Sequence, residues 1–271
     1  MFYKIGEFSR YSGTSIDTLR HYERCGLLCP EIDSVNGYRL YTDSDFITLM
    51  NIRQQRGMEI SLSEIAEFQQ VHSLDAQLAR YQEQVRLLDE KIQHLQLLKQ
   101  RCNARQAYIQ SAKNNLGRIL ELHCQPAYHL LFHTLKDLEA EKAQKLVEKW
   151  VQSMPFAGYF VSIAPQDLNV GPLNLQLGLS ADLRYVGEFS LPIHPPVKAM
   201  MGGPGIQYTM TTENVFSLTM ADLRPAFDYA AQKGYIISDD VCLAIDAIEY
   251  RPELPPLYYV QMRFPVRRFQ A

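Results

Sequence analysis

Residues 15 to 24 place arginine, histidine and short polar side chains on one face of a predicted helix. The apolar residues of this run recur at helical spacing and can pack on a neighbouring helix. The side chains left outside are Asp17, Thr18, Arg20, His21 and Arg24. Because guanidinium groups bind phosphates and short polar groups reach base edges, this run predicts a helix that lies in a DNA groove.

The residues before this run predict that it is the second helix of a helix-turn-helix. Residues 5 to 12 can form a short first helix, and Gly13 can supply the positive φ that ends it. Thr14 or Ser15 can then cap the second helix by accepting hydrogen bonds from its first N–H groups.

A hairpin is predicted next. Asn36-Gly37 is a turn signal of a type in which both central residues take positive φ. The arm that follows, residues 38 to 41, carries Arg39. The pattern therefore predicts a wing with Arg39 beside the helix with Arg20.

Four runs resemble the MerR family of bacterial transcription regulators in order and spacing, over roughly the first 110 residues. They are Tyr3-Lys4-Ile5-Gly6-Glu7, Thr18-Leu19-Arg20-His21-Tyr22-Glu23, Gly26-Leu27-Leu28 and Gly37-Tyr38-Arg39-Leu40-Tyr41. The resemblance implies DNA contacts by Lys4, Ser15, Asp17, Thr18, Arg20, His21, Tyr22, Tyr38, Arg39 and Arg56. His21 departs from the aromatic residue that relatives often have, and Arg56, on an expected second wing, could instead be a solvated surface arginine.

A long heptad pattern follows a short helix that Ser61 and Glu64 can cap. Its apolar residues are Leu74, Leu78, Tyr81, Val85, Leu88, Ile92 and Leu95. A helix of about 36 residues, roughly 54 Å long, is predicted. The family resemblance implies an antiparallel coiled coil in a homodimer; the alternative is packing of the stripe on the chain's own C-terminal part.

The C-terminal part predicts two strand-helix-strand-strand units in one antiparallel sheet, with helices on one side and a cleft between the halves. The first unit is predicted at 127–134, 138–151, 159–164 and 173–179, with an extra strand near 185–191, and the second at 207–212, 221–233, 242–249 and 258–264. This arrangement resembles the GyrI-like effector-binding domain of multidrug-sensing MerR regulators. The fold class is α+β, with domains at 1–72 (DNA binding), 73–116 (dimerisation helix and linker) and 117–271 (effector binding).

Two carboxylates, Asp246 and Glu249, stand in the otherwise apolar strand at 241–250. Alternation places them on opposite faces, so one of them can point into a cleft. The resemblance implies an effector-facing carboxylate, with Asp246 at the matching position and Glu249 as the fallback. A carboxylate among aromatic rings suits a lipophilic cation. The aromatic wall residues are Tyr128, Phe132, Tyr159, Phe189, Tyr208 and Tyr258, although such rings can equally be core, and Asp246 can equally be bonded within the sheet.

Composition gives further bounds. The chain has 271 residues and a net charge of -3, and residues 1 to 72 hold seven Lys/Arg against ten Asp/Glu. Placement of arginines, rather than bulk charge, must therefore bind DNA. No apolar run approaches the roughly 20 residues of a membrane span, so a cytoplasmic protein without membrane partners is expected. The five cysteines predict reduced thiols and no metal or cofactor, with metal or redox sensing by Cys102 and Cys124 as an alternative.

These features predict a transcription regulator whose partners are promoter DNA, a small-molecule effector, a second copy of the chain and, indirectly, RNA polymerase. The resemblance implies activation, in which effector binding makes the dimer bend and untwist a promoter with an over-long spacer. An enzyme is not expected: the histidines at 123, 129, 133 and 194 adjoin no G-x-S-x-G or similar nucleophile motif, although a small-molecule hydrolase is a further alternative.

Overall fold

A computed structural model describes residues 1–70, 73–138, 140–168 and 173–268. The chain divides into two compact units, Met1–Leu95 and Gln96–Ala271. The predicted boundary at 72/73 falls beside residues 71 and 72, which lie outside the described residues.

The first unit has the predicted helix-turn-helix, wing and following helices. Its elements are β1 (Tyr3–Lys4), α1 (Ile5–Ser12), α2 (Ile16–Arg24), β2 (Glu31–Ile32), β3 (Arg39–Tyr41), α3 (Asp43–Gly57), α4 (Leu62–Gln69) and the start of α5 (Leu74–Asn114). Gly13 ends α1 at a φ of 62°, where a side chain would be strained. The Ser15 hydroxyl caps α2 by accepting from the N–H of Thr18. These local signals confirm the predicted turn between the two helices.

The three short strands form a small antiparallel sheet in the order β1-β3-β2. The predicted turn geometry at Asn36-Gly37 is wrong in one respect, because Gly37 alone of the pair has a positive φ, of 72°. The connection runs from residue 33 to 38, longer than a two-residue turn, and Asp33 holds it by accepting from the Val35 N–H at 2.9 Å. Asn36 therefore never needs the left-handed conformation.

One apolar core unites this unit. Phe8, Leu19, Tyr41, Leu49 and Ile52 are its central residues, at 2% exposure or less. The rings of Phe8 and Tyr41 stack with centroids 4.5 Å apart, which fixes the first helix against the wing strand.

Helix α5 has 41 residues, longer than the predicted 36, and begins in the first unit and ends in the second. Its beginning is held on the first unit by Gln84, whose Nε2 donates to the Met58 carbonyl at 2.8 Å, and by Lys91, 2.7 Å from Glu59. Most of the predicted heptad stripe is solvent-exposed, namely Leu74, Leu78, Val85, Ile92 and Leu95. Tyr81, by contrast, packs on the core of the first unit.

The second unit is a sheet of nine strands with three α-helices in its described residues. After α5 come β4 (Ile119–Cys124), β5 (Ala127–Phe132), α6 (Glu141–Gln152), β6 (Ala157–Ile163), β7 (Leu175–Asp182), α7 (Leu183–Glu188), β8 (Val197–Met200), β9 (Gly203–Thr212), α8 (Met220–Gln232), β10 (Tyr235–Ile237), β11 (Val241–Glu249) and β12 (Leu257–Arg268). Short 3-10 turns lie at Leu135–Leu138, Pro165–Leu168 and Val215–Ser217.

The sheet is antiparallel in the order β4-β9-β12-β11-β6-β7-β5-β8, and β10 pairs with β12. The two predicted strand-helix-strand-strand repeats are confirmed as β5-α6-β6-β7 and β9-α8-β11-β12. They join where β11 pairs with β6, with Ala244 opposite Phe160. The two repeats therefore form one continuous sheet.

The predicted extra strand at 185–191 is wrong, since this segment begins in helix α7. The Asp182 side chain caps α7 by accepting from the Arg184 N–H at 3.2 Å, and Tyr185 and Val186 are both buried. Two adjacent buried residues fit a helix and not a half-buried strand. Strands β4, β8 and β10 were not predicted, because β8 and β10 are only four and three residues long and β4 lies at the edge of the sheet.

Both long helices of this unit cover the same face of the sheet. Leu223 and Ala226 of α8 pack in a core with Val161 of β6, and Trp150 of α6 packs in a second core with Ala157 of the same strand. Residues 157 and 161 share one face of the strand by alternation. The opposite face of the sheet is therefore not covered by α6 or α8.

Candidate functional site

The exposed face of α2 is the first candidate surface. Asp17, Arg20 and His21 are exposed, and Thr18 is half-buried beside the capping hydroxyl of Ser15, with the two oxygens 2.8 Å apart. Tyr22, in contrast, is 9% exposed and packs in the core of the first unit. The ring of Tyr22 therefore packs α2 against the core of the first unit and does not lie on its exposed face.

The wing is fixed to α2 by a carboxylate. The Arg39 Nε lies 2.9 and 2.7 Å from the two oxygens of Glu23, which also accepts from the Tyr41 hydroxyl at 3.1 Å. The Lys4 ammonium lies 5.4 Å from the centre of the Tyr38 ring. Three of the predicted contact residues, Lys4, Tyr38 and Arg39, thus lie on or beside the strands of the wing. Glu23, which joins β3 to α2, was not predicted.

Arg56 lies at the end of α3, where its Nη1 donates to the Ile60 carbonyl at 2.8 Å. This bond closes the turn between α3 and α4. The side chain remains exposed, so it has a structural contact and an accessible charge at once.

The second candidate site is a cavity of about 830 Å³ within the second unit, on the sheet face opposite α6 and α8. Strands of both halves form its floor, and the end of α5 contributes residues between 101 and 108. A cavity of this volume is in the range of small-molecule sites.

Asp246 is the buried carboxylate of this cavity, at 2% exposure. A bulge between Ile245 and Ala247 interrupts the strict alternation of side chains between the two faces of β11. The Oδ2 of Asp246 has no hydrogen-bond partner among the described residues. Burial raises the pKa of Asp246 to about 6, against the opposing charges of Arg263 and Arg105. Glu249 is exposed instead and accepts from the Tyr259 hydroxyl at 3.1 Å.

Most of the predicted aromatic residues lie elsewhere. Of the described residues that line the cavity, Tyr159, half exposed, is the one ring from the predicted set. Tyr128 and Phe189 pack on the core beneath α6, and Tyr208 and Tyr258 on the core beneath α8. Phe132 is also outside the cavity lining. Strand alternation explains this, because Tyr208 and Tyr258 share a face with buried Ile206 and Val260.

Phe160 and His129 are cavity residues that were not predicted. His129 is 6% exposed, and its ring centre lies 4.4 Å from that of Phe160. Burial, with the nearby charge of Lys198, lowers the pKa of His129 to about 4, so the ring is neutral near pH 7. Leu130 is buried on the helix-covered face. Strand alternation therefore places its neighbour His129 on the opposite face, which lines the cavity.

Three cysteines line the same cavity, Cys102, Cys124 and Cys242. Burial raises the pKa of the Cys124 thiol and raises that of Cys242 to about 12. Both therefore stay protonated and are weak nucleophiles. In the part of the chain that the structure describes, no three His, Cys, Asp or Glu side chains are grouped to hold a metal ion.

The helix-turn-helix with its wing defines the chain as a DNA-binding regulator, and the comparisons show the family to which it belongs. The sequence model described as "MerR HTH family regulatory protein" matches residues 3–71. The Escherichia coli regulator ZntR is 30% identical over 130 residues, 48% of this chain and 86% of that protein. The chain belongs to the MerR family of transcription regulators.

Two further relatives differ in what their names describe. A "probable heavy metal-dependent transcriptional regulator" of Haemophilus influenzae is 34% identical over 104 residues, covering 34% of this chain and 81% of that protein. The "multidrug-efflux transporter 1 regulator" of Bacillus subtilis is 35% identical over 100 residues, 36% of each chain. None of the described helices is long and apolar enough to cross a membrane.

Proposed function

We propose that this MerR-family regulator is a homodimer that activates transcription when a small lipophilic molecule occupies the cavity of its C-terminal, GyrI-like domain. One observation carries the proposal: residues 101 to 108 of α5 line the cavity, and the same helix begins with the exposed apolar stripe. A ligand that contacts this helix can therefore act on the dimer.

The stripe supports the homodimer. Leu78, Val85 and Ile92 are each half exposed or more on a helix of 41 residues. A helix of that length with an uncovered apolar seam is stabilised by a second copy. A dimer would also present two α2 helices to the two halves of one DNA site.

Two hydrogen bonds give the ligand a means of action. The Arg101 Nε donates to the Pro155 carbonyl at 2.9 Å, and the Arg105 Nη1 donates to the Ile245 carbonyl at 3.2 Å. Both arginines line the cavity, so an occupant competes with these bonds or tightens them. A ligand with different affinity for two positions of α5 shifts the population between them. In the proposed active state, the dimer bends and untwists a promoter with an over-long spacer so that RNA polymerase can use it.

The two relatives suggest different ligands. The multidrug name of the Bacillus subtilis protein agrees with a lipophilic compound, and the predicted cation has Asp246 and Tyr159 in its favour. The heavy-metal name of the Haemophilus influenzae protein agrees with sensing by Cys102 and Cys124. The raised pKa of Cys124 does not favour a thiolate ligand, so the lipophilic molecule is the better proposal.

The test begins with selection of bound duplexes from a random DNA library by the full chain, which supplies an operator. Lipophilic compounds are then screened for a rise in the melting temperature of the protein, and hits are assayed in transcription from that operator. Ala244→Trp fills the cavity floor and should abolish both the melting shift and the response. Ala231→Trp, at an exposed position of α8, is the matched control and should respond normally. Hits that shift and activate Ala244→Trp as well as the native chain would refute a ligand site in this cavity.

A further inference from the structure

The charges that line the cavity do not balance. Four arginines, Arg101, Arg105, Arg184 and Arg263, face two aspartates, Asp182 and Asp246, which leaves a formal charge of +2 with the histidines neutral. Arg184 and Asp182 lie 3.3 Å apart and neutralise each other. The excess positive charge therefore belongs to the other three arginines.

None of those three arginines is in an ion pair within 4.0 Å among the described residues. Arg101 and Arg105 donate to backbone carbonyls, and the Arg263 Nη2 donates to the Gln261 side chain at 3.4 Å. Neutral oxygens satisfy N–H groups without cancelling charge. Asp246 is close enough to Arg263 and Arg105 that both lower its pKa, yet its Oδ2 accepts no hydrogen bond from either.

The two ends of the cavity floor differ in polarity. On the β9–β12–β11 side lie Gln207, Arg263 and Asp246. On the other side lie Phe160 and Met200, together with Asp182 and Arg184, whose charges cancel each other. The His129 ring, neutral and against Phe160, extends the less polar end. A ligand that matches this floor has one charged end and one apolar body.

We propose that the cavity takes an amphipathic organic anion, a carboxylate with an aliphatic or aromatic body, rather than a lipophilic cation. The carboxylate lies between Arg105 and Arg263, and the body lies against Phe160 and Met200. Guanidinium groups bind carboxylates through charge-assisted hydrogen bonds, which are about twice as strong as neutral ones. This inference rests on the proposed function, since it assigns the chemical class of the ligand for that same cavity.

Three molecules with the same twelve-carbon chain separate charge from hydrophobicity: dodecanoate, dodecanol and dodecyltrimethylammonium. Their binding to the full-length protein is measured by titration calorimetry, below the concentrations at which they form micelles. Dodecanoate should bind at least about tenfold more tightly than dodecanol, and dodecyltrimethylammonium most weakly. Ala244→Trp should remove this binding, which shows that the molecules occupy the cavity.

Variants then assign the charge. Arg263→Gln and, on a different element, Arg105→Gln should each weaken dodecanoate by about tenfold while changing dodecanol by less than about twofold. Asp246→Asn should tighten dodecanoate, because it removes the one negative charge beside both arginines. Arg224→Gln is the control, since Arg224 is exposed on α8 and paired with Asp228 at 3.1 Å. Thermal unfolding confirms that each variant is folded.

The outcomes separate the inference from the proposal beneath it. If dodecanol and the ammonium compound bind in the cavity and dodecanoate does not, the ligand is not an anion, while the lipophilic cavity stands. If neither arginine substitution weakens the binding of dodecanoate, the placement of its carboxylate between Arg105 and Arg263 is refuted. If none of the three binds, the anion inference and the proposed lipophilic site both fall.

Discussion

The Arg39 Nε contacts both carboxylate oxygens of Glu23, and so links the wing strand β3 to helix α2. The Glu23 side chain is largely buried, and the Tyr41 hydroxyl donates to it as well. The Arg39 side chain is 43% exposed beside the predicted DNA surface. One side chain can therefore both position the wing and bind a phosphate.

Substitutions of this pair distinguish the two roles. Arg39→Gln should weaken operator binding roughly three- to tenfold and reduce the slope of log affinity against log salt by about 0.9 per protomer, because one phosphate contact is lost. Glu23→Gln should weaken binding by a similar factor with the slope unchanged, because the wing loses its anchor while the charge of Arg39 remains. Fluorescence anisotropy of a labelled operator across a salt series measures both effects.

The control is Arg86→Gln, since Arg86 is on α5 and paired with Glu83 and Glu90. An unchanged salt slope for Arg39→Gln would mean that Arg39 contacts no phosphate and acts as an anchor alone.

The DNA-binding unit could be predicted from the sequence because its signals are local. Gly13 requires its own positive φ, and Ser15 and Ser61 cap the helices that directly follow them. The pairing of Glu23 with Arg39 is not local. It depends on β3 packing against α2, so no spacing in the chain reveals it.

The cavity was predictable only in part. The tandem units followed from strand patterns, and Asp246 followed from the resemblance to the GyrI-like domain. Alternation alone does not show which sheet face the helices cover. Tyr208 and Tyr258 were therefore assigned to the ligand, although they pack beneath α8. The contribution of Arg105 was also hidden, because it comes from a helix that is far from Asp246 in the chain and is brought to it by tertiary packing.

Two buried groups of the cavity should give opposite dependences of stability on pH. The pKa of Asp246 is raised from 3.8 to about 6, so the folded chain binds the extra proton and stability falls as pH rises through that window. The pKa of His129 is lowered from 6.5 to about 4, so the unfolded chain binds the extra proton and stability rises with pH. Between about pH 4 and 6 the two effects oppose each other.

Single variants should expose each slope. Asp246→Asn leaves the His129 effect, and its free energy of unfolding should rise relative to the native chain by on the order of 2–3 kcal/mol from pH 4 to 6.5. His129→Leu should show a relative fall of similar size. Urea unfolding midpoints at several pH values measure this, and the double variant should run parallel to the native chain. Parallel curves for both single variants would show that neither group has a shifted pKa.

Gly178 is a test of the packing that shapes the cavity floor. A Cβ at this position would lie 2.5 and 2.7 Å from atoms of the Phe160 ring and 2.9 Å from Leu131. Gly178→Ala must therefore displace Phe160, and we expect a loss of about 1–3 kcal/mol in stability together with weaker ligand binding. Gly158→Ala is the matched control on the neighbouring strand, because its nearest atom is 4.0 Å away. Equal stability of the two variants would show that the Phe160 ring yields without cost.

The exposed stripe of α5 makes a prediction about assembly. Val85 is 58% exposed within the stripe, and Val85→Asp places a charge where the second helix of a coiled coil would pack. Sedimentation should show a change from a dimer to the 31.2 kDa monomer, and operator affinity should fall with it because one α2 helix binds only half of the site.

Leu87→Asp tests whether this effect is specific to the stripe, since Leu87 is 42% exposed on the same helix but outside the heptad positions. It introduces the same charge two residues away, about 200° around the helix. If Leu87→Asp remains a dimer and Val85→Asp does not, the heptad seam is the interface. Monomers from both variants would indicate general damage to α5, and dimers from both would place the interface elsewhere in the chain.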